Sequence, residues 1–353
     1  MRGHRLVRSR PSIRLAFSGF PGAFNPTQIR RLLEQRFDVT VDPQQPDYVI
    51  FSVFSADFLR YESAIRIFFT GENVRPDFNL CDYAFGYDWL DFGDRYHRCP
   101  NYQLYDQFRD LCTRRRSDPA RVPVERRFCN FIYTNASGHP FRDEFFHRLS
   151  AYRRVDSAGA HLRNTADEIG AAYAGDWSAP KVRYQTGFKF SFAFENSSTP
   201  GYTTEKIVHA LAADTIPIYW GNPDVGREFN PRRFVNCHDF ASPAEIVARI
   251  AAIDQDDAVY RQMLAEPFFP RDCVPESLQD DAILDQFERI FSQPKEKARR
   301  RNAHAWGRRY EEEYARGTTA SAFLAGRNPF SLAGRAAFRG WRAAQTVLGG
   351  GSR

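Results

Sequence analysis

The chain lacks the features that mark membrane-spanning, secreted and metal-stapled proteins. No stretch of its 353 residues approaches the ~20 consecutive apolar residues of a membrane helix. Four arginines fall in the first ten residues. The apolar run that follows, Ile13 to Phe20, is short, strand-like and broken by Gly19 with Pro21 next to it, so it does not read as a secretory leader. Six cysteines, Cys81, Cys99, Cys112, Cys129, Cys237 and Cys273, form no C-x-x-C pair and no metal-type spacing. They read as free thiols of a reducing compartment, and a cytoplasmic location is expected. No repeat recurs at a spacing of 20–50 residues, which argues against a solenoid or propeller.

Positive charge is also scarce where a nucleic-acid binder needs it. The chain carries +6, but residues 295–353 hold 13 Lys/Arg against 4 Asp/Glu, a net of +9, so residues 1–294 carry −3. A nucleic-acid-binding protein spreads its basic footprint over the folded body, and no nucleic-acid partner is expected. The tail needs its own explanation. Wound as a helix, Phe330, Ala337, Trp341 and Leu348 share one face and Arg335, Arg339 and Arg342 the other, with Arg299, Arg300 and Arg301 upstream. That pattern suits an anionic membrane surface and a peripheral position on the inner membrane face. A solvated or subunit-contacting tail is the alternative.

Aromatic residues are abundant, at 15%, with 32 Phe and 16 Tyr. A ring covers the apolar C–H face of a pyranose, although any single Phe is by default core filler. Strand-like runs at Ile13–Gly19, Tyr48–Phe54 and Ile65–Phe69 alternate with helical spacing over Thr27–Phe37. A second alternation starts near Phe128 and runs through a helix at 140–152 and a strand at Phe188–Phe194. It continues with a helix from about Thr204, strands at Ile216–Trp220 and Phe234–Asn236, and a helix at Pro243–Ile253. Pro217 is awkward inside a strand. The alternation predicts an α/β chain of two Rossmann-like lobes with parallel sheets facing a central cleft. The divisions expected are residues 1–157, residues 158–294 and a basic helical tail, 295–353.

Ligands of such sheets sit beyond the carboxyl ends of the strands. Two strand exits therefore stand out, Thr70-Gly71-Glu72-Asn73 and Phe194-Glu195-Asn196. The second opens into a polar loop and then a helix that begins near Glu205 and Lys206. A helix N-terminus attracts phosphate. A lysine there opposes the helix dipole, which makes sense if an anionic ligand compensates it. Glu205 is suited to accept hydrogen bonds from sugar hydroxyls or to stabilise a developing oxocarbenium charge. An ordinary capped helix with Glu205 complementing the dipole is the plainer alternative.

The stretch Phe194-Glu195-Asn196 followed by Tyr202-Thr203-Thr204-Glu205-Lys206 resembles the donor-binding signature of the alpha-1,3/1,4-fucosyltransferases. The resemblance continues through Ile216–Gly221, Phe229-Asn230-Pro231 and Phe234–Phe240. In the first half, Thr70–Asn73, Asp77–Gly86 and Asp94-Arg95-Tyr96 look like the soluble bacterial members. It covers roughly residues 14–292. The resemblance implies a GT-B fold, with an acceptor lobe first and a GDP-fucose lobe second. It implies inverting transfer of L-fucose from GDP-fucose to a glycan acceptor at a GlcNAc or glucose hydroxyl, with no cofactor or metal required. Glu72 would be the base and Glu205 a second catalytic carboxylate. Arg142 and Lys206 would bind the diphosphate, and Asn196, Tyr202 and Glu205 would complete the donor site. Arg142 rests on the shorter match Pro140–Phe146; a solvated helix-start cation is its alternative, and for Glu72 a plain turn carboxylate. Residues 295–353 do not match the leucine-zipper-like repeats of some bacterial members. Asp254-Gln255-Asp256 has the D-x-D form that holds a metal elsewhere, but it lies between two helical stretches and reads as a connector. A transferase for another nucleotide sugar, or a non-catalytic glycan-binding module, remains the rival reading.

Overall fold

The computed structural model describes residues 10–20, 26–114, 124–169 and 177–324, the last six by backbone only. The first sheet contains β1 (Ser12–Ser18), β2 (Asp38–Val41), β3 (Tyr48–Phe51), β4 (Ile65–Phe69), β5 (Tyr83–Gly86) and β6 (Tyr96–Arg98), in the order β2-β1-β3-β4-β5-β6. Every pairing in it is parallel. Parallel strands are covered on both faces, which is why β3 and β4 are buried at every position. Helix α1 (Thr27–Leu33) turns Ile29, Leu32 and Leu33 into the core. It is shorter than the spacing predicts, because Phe37 reaches the same core from beyond the helix end. Helix α2 (Asp106–Thr113) closes this part of the chain.

The second sheet is built from β7 (Arg127–Phe131), β8 (Val155–Ser157), β9 (Phe188–Phe194), β10 (Ile216–Trp220) and β11 (Val235–Asn236), in the order β11-β10-β9-β7-β8, again all parallel. Its helices are α3 (Pro140–Tyr152), α4 (Ser178–Gln185), α5 (Glu205–Ala212), α6 (Pro243–Gln255) and α7 (Asp257–Ala265). Strand β9 alternates by face. Phe190, Phe192 and Phe194 join the core with residues of α3 and α6. The small Ala193 lies in the core that Ile207, Val208 and Leu211 of α5 fill on the other side. Pro217 is tolerated because β11 pairs only with Ile218 and Tyr219, leaving that flank of Pro217 open.

The lobes divide differently from the sequence expectation. Strands β7 and β8 belong to the second sheet, so the division falls between residues 114 and 124 and not at 157. The chain then returns. Helix α8 (Asp280–Phe291) inserts Ile283, Leu284, Phe287 and Ile290 among Ile13, Leu15 and Ile29 of the first lobe, and Ala298 of α9 (Lys295–Ala298) follows them.

Of the run Arg299, Arg300 and Arg301, the first two are exposed and paired with the first lobe, and the third is buried in it. The Arg301 guanidinium is buried in an ion pair with Asp82, whose other carboxylate oxygen accepts the backbone N–H groups of Arg300 and Arg301 at 2.8 and 2.9 Å. Arg300 pairs with Asp94, and Arg299 donates to the Ser63 carbonyl at 2.9 Å. Breaking a buried pair such as Arg301–Asp82 typically costs about 3–5 kcal/mol, so this segment is a strap on the first lobe. Helix α10 (Ala305–Leu324) continues the strap, with Glu311 pairing to the buried Arg66 at 2.8 Å and Tyr310 donating to Asp77 at 2.6 Å. The amphipathic stretch 330–348 lies outside the described residues.

Candidate active site

The carboxyl ends of β4 and β9 face one another across a cavity of about 790 Å³ between the lobes, larger than two hollows of about 350 and 400 Å³ on the outside of the second lobe. Glu72 lines it from the first lobe, and Asn196, Tyr202, Glu205 and Lys206 line it from the second. Five of the six residues singled out from the sequence therefore meet in one space.

Glu72 follows β4 in a tight turn, with its N–H donating to Thr70 Oγ1 at 3.1 Å and its carbonyl accepting from Val74 at 2.8 Å. Its side chain is exposed and has no hydrogen bond or ion pair among the described residues. A Cβ at Gly71 would lie 2.6 Å from the Asn101 amide nitrogen, so a side chain there would need that amide to swing aside.

The glutamate of Phe194-Glu195-Asn196 is an internal tie. Fully buried Glu195 accepts the Thr204 N–H at 2.8 Å and the Thr204 hydroxyl at 2.7 Å, joining the end of β9 to the start of α5. It also pairs with Lys206 Nζ at 3.1 Å, while Glu205 lies 3.7 Å from the same ammonium. The cation at the helix start is thus already compensated from within, which the sequence reading assigned to a ligand. Burial alone would push the Glu205 carboxyl up, but the ammonium groups of Lys206 and Lys181 outweigh it and hold it at about 2. Burial likewise lowers Lys206, and Glu195 and Glu205 more than reverse this, so it stays charged.

Arg142 is placed differently from the expectation. It is fully buried in α3 and does not line the cavity. Its Nη2 donates to the Asn135 carbonyl at 2.8 Å and its guanidinium lies 4.7 Å from the Tyr133 ring, so it sits behind two residues that do line the cavity. Its Nη1 has no hydrogen-bond partner. Asp254 is spent on Lys189 and Arg153, and Asp256 caps α7, so the D-x-D is a helix–helix connector. Among the described residues no three His, Cys, Asp or Glu side chains converge as a metal site.

The two sides of the cleft are stitched together. Asn73, next to Glu72, donates to Ser197 Oγ at 2.6 Å and Thr199 Oγ1 at 2.7 Å, and accepts from Tyr87 at 2.5 Å. Tyr202 is nearly buried, and its phenol donates to the Gly71 carbonyl at 3.3 Å. Deeper in the seam, Arg98 forms a buried ion pair with Glu228, which also accepts from Tyr102 at 2.8 Å.

Sequence reasoning missed Lys181. It is 7% exposed, lines the cavity beside Glu205 and has no hydrogen bond or ion pair among the described residues. A lone lysine in a short helix reads as a solvated cation, and only the adjacent Trp177, whose ring lies 5.6 Å from the ammonium, hints otherwise.

The facing Rossmann-like lobes, with the cleft at the carboxyl ends of two parallel sheets, define a GT-B glycosyltransferase fold. Residues 15–105 match the alpha-(1,3)-fucosyltransferase FucT N-terminal domain, and residues 123–265 match the C-terminal domain of glycosyltransferase family 10 (fucosyltransferase). The alpha-(1,3)-fucosyltransferase FucT of Helicobacter pylori is 32% identical over 73% of this chain and 61% of its own length. Alpha-(1,3)-fucosyltransferase B of Drosophila melanogaster is 28% identical over 37% of this chain and 30% of its own. A crystal structure of an alpha1,3-fucosyltransferase with GDP-fucose superposes with a TM-score of 0.67 at 27% identity, covering 83% of this chain and 94% of that one. The chain belongs to the family 10 fucosyltransferases, and it spans about three fifths of the length of the Helicobacter relative.

Burial pushes the Lys181 ammonium down to about 8 from an ordinary 10.5, against the pull of Glu205. Between these two values the unfolded chain holds a proton that the folded chain has released, so this group makes stability rise with pH across that window; below it the full cost of burying the charge is present. Lys181→Met is expected to be more stable than the parent at pH 7, by on the order of 2–3 kcal/mol. The gain should shrink toward pH 10.5. Urea unfolding midpoints of both proteins across that range check it; a difference that does not change with pH contradicts it.

Proposed function

We propose that the protein transfers L-fucose from GDP-fucose, with inversion, to a GlcNAc or glucose hydroxyl of a glycan. The observation that carries this reading is that Glu72 stands on one wall of the interlobe cavity and the Asn196, Glu205 and Lys206 cluster on the other. The family membership supports it, as does the GDP-fucose held by a solved relative. In a single displacement the acceptor hydroxyl attacks the anomeric carbon opposite the departing GDP and loses its proton as the bond forms. Glu72, exposed to the cavity and unpaired, takes that proton, a role typically worth ~10²–10⁴-fold.

The start of α5, Lys206 and Lys181 hold the diphosphate and stabilise the leaving GDP with charge-assisted hydrogen bonds. Arg142 adds its charge from behind Tyr133 and Asn135. These cations meet the donor's charge without a divalent metal. Glu205, kept ionised, accepts from sugar hydroxyls or faces the oxocarbenium charge, and Asn196 and Tyr202 complete the donor site. The acceptor is taken to be an N-acetyllactosamine-type unit fucosylated alpha-1,3, as in a lipopolysaccharide O-antigen. A non-catalytic module would have no need of Glu72 or of the Glu205 and Lys206 pair, and a panel of nucleotide sugars separates a different donor.

Glu72→Gln keeps shape and hydrogen bonding but removes basicity. It is expected to lower kcat by roughly 10²–10⁴-fold while GDP affinity stays near that of the parent. Near-normal turnover would place the base elsewhere, with Glu205 next in line. Loss of GDP binding along with rate would make Glu72 a donor contact.

The peripheral attachment to an anionic membrane rests mainly on residues 330–348, since Arg301 is buried against Asp82 and the exposed Arg300 is paired with Asp94. No helix among the described residues is long and apolar enough to cross a membrane. Co-sedimentation with anionic vesicles is expected for the full chain and not for a chain ending at residue 324; equal binding by both refutes the attachment.

A further inference from the structure

We infer that the acceptor sugar docks on an aromatic platform at the switch point of the first sheet, with Phe54 as the ring it stacks on and Phe20 beside it. The inference rests on the proposed function only in assigning the donor to the second lobe.

The order β2-β1-β3 means that the chain leaves β1 toward β2 on one side and returns to β3 on the other. The crevice outside the carboxyl ends of β1 and β3 is therefore where a sheet of this type receives a ligand. The loop after β1 carries Gly19 and Phe20, and the loop after β3 carries Ser52, Val53 and Phe54. The two loops are locked to each other. Phe54 N–H donates to the Gly19 carbonyl at 2.9 Å, and Ser52 N–H donates to the Ser18 carbonyl at 3.0 Å. Gly19 has φ +66°, and a Cβ there would sit 2.6 Å from the Ser52 carbonyl oxygen, so only glycine lets the loops approach this closely.

The rigid backbone holds up a ring that the core does not use. Phe51 and Phe58 are buried and stacked 3.9 Å apart, whereas Phe54 is 43% exposed, lines the cavity shared with Glu72 and belongs to none of the buried clusters. Gln28 and Arg31 of α1 and Ser52 line the same wall. An exposed aromatic face ringed by a few hydrogen-bonding groups fits a pyranose, whose C–H face covers the ring while its hydroxyls reach the rim. With Asn196, Glu205, Lys181 and Lys206 all on the second lobe, the ligand at the switch point of the first is the other reactant, held on the lobe that carries Glu72.

Phe54→Leu keeps an apolar side chain and removes the π face, whereas Phe54→Trp enlarges it. Initial rates are measured with GDP-fucose and N-acetyllactosamine, lacto-N-biose or lactose as acceptor, and GDP affinity by calorimetry. Phe54→Leu is expected to raise the acceptor KM by roughly 3- to 10-fold while GDP affinity and kcat at saturating acceptor hold, and Phe54→Trp is expected to restore KM. An unchanged KM in Phe54→Leu, or one that rises only with an equal loss of GDP affinity, overturns the platform and leaves the proposed function standing. No transfer by the parent protein to any of the three pyranosides overturns both.

Discussion

The geometry of the cleft depends on one buried carboxylate at the seam between the lobes. Glu228 takes Arg98 and Tyr102 from the first lobe and Asn222 from the second. Burial pushes this carboxyl up, and the Arg98 guanidinium opposes the push. Asn222 passes the constraint on: its carbonyl accepts the Gly201 N–H at 2.7 Å and its amide donates to Thr203 at 3.0 Å. The loop between β9 and α5 is thereby fixed from below, and Asn73 and the Gly71 carbonyl hold it from above. The loop that bears Glu72 and the loop that leads to Glu205 and Lys206 form one hydrogen-bonded unit. Removing one partner of a buried pair costs about 3–5 kcal/mol, so the lobes cannot part at this seam cheaply. Trp89 reinforces it, held between the guanidiniums of Arg98 at 3.7 Å and Arg227 at 3.6 Å.

The second-lobe wall of the cavity is organised around charge that is mostly balanced before any ligand arrives. Lys181 and Lys206 stand against buried Glu195 and Glu205, and Arg142 is paired with Asp143. Lys206 is a latch for the turn into α5 as well as a cation at its start, since it holds both Glu195 and the Thr204 hydroxyl. Lys181 differs in having no anionic partner within bonding distance. Burying its charge without such a partner lowers its affinity for the proton, and an anion brought beside it would relieve that cost. Behind it His209 is fully buried with both ring nitrogens unpartnered; burial, and then the neighbouring Lys181 charge, drive it far below its ordinary range, so it remains a neutral ring packed against Tyr105 and Trp177.

Much of this was legible in the sequence where the signal is local. The Ile/Phe-rich runs of β4 and β9, interrupted only by Arg66, Lys189 and Ser191, announce buried strands, and their polar exits carry Glu72 and Asn196 to the cavity wall. What was not legible depends on residues far apart in the chain. The apolar face of α8 shows in its spacing, but nothing local says that it covers the first lobe. Arg299, Arg300 and Arg301 look like a solvated run until the fold brings Asp82 and Asp94 to them from more than 200 positions away. Lys206 looks uncompensated because Glu195, eleven residues back, reaches it only through the turn. Asn73 reads as a loop amide, and its value as the bridge to Ser197 and Thr199 exists only once the lobes face each other.

The central claim is that these lobes form an inverting, cation-assisted fucosyl transfer site, and the product is its most direct witness. The protein is incubated with GDP-β-L-fucose and N-acetyllactosamine in the presence of EDTA, and the anomeric configuration and linkage of the new sugar are read by NMR. An α-linked fucoside formed under chelation is the result expected. A β-linked fucoside, or a product seen only after a divalent metal is restored, would contradict the account.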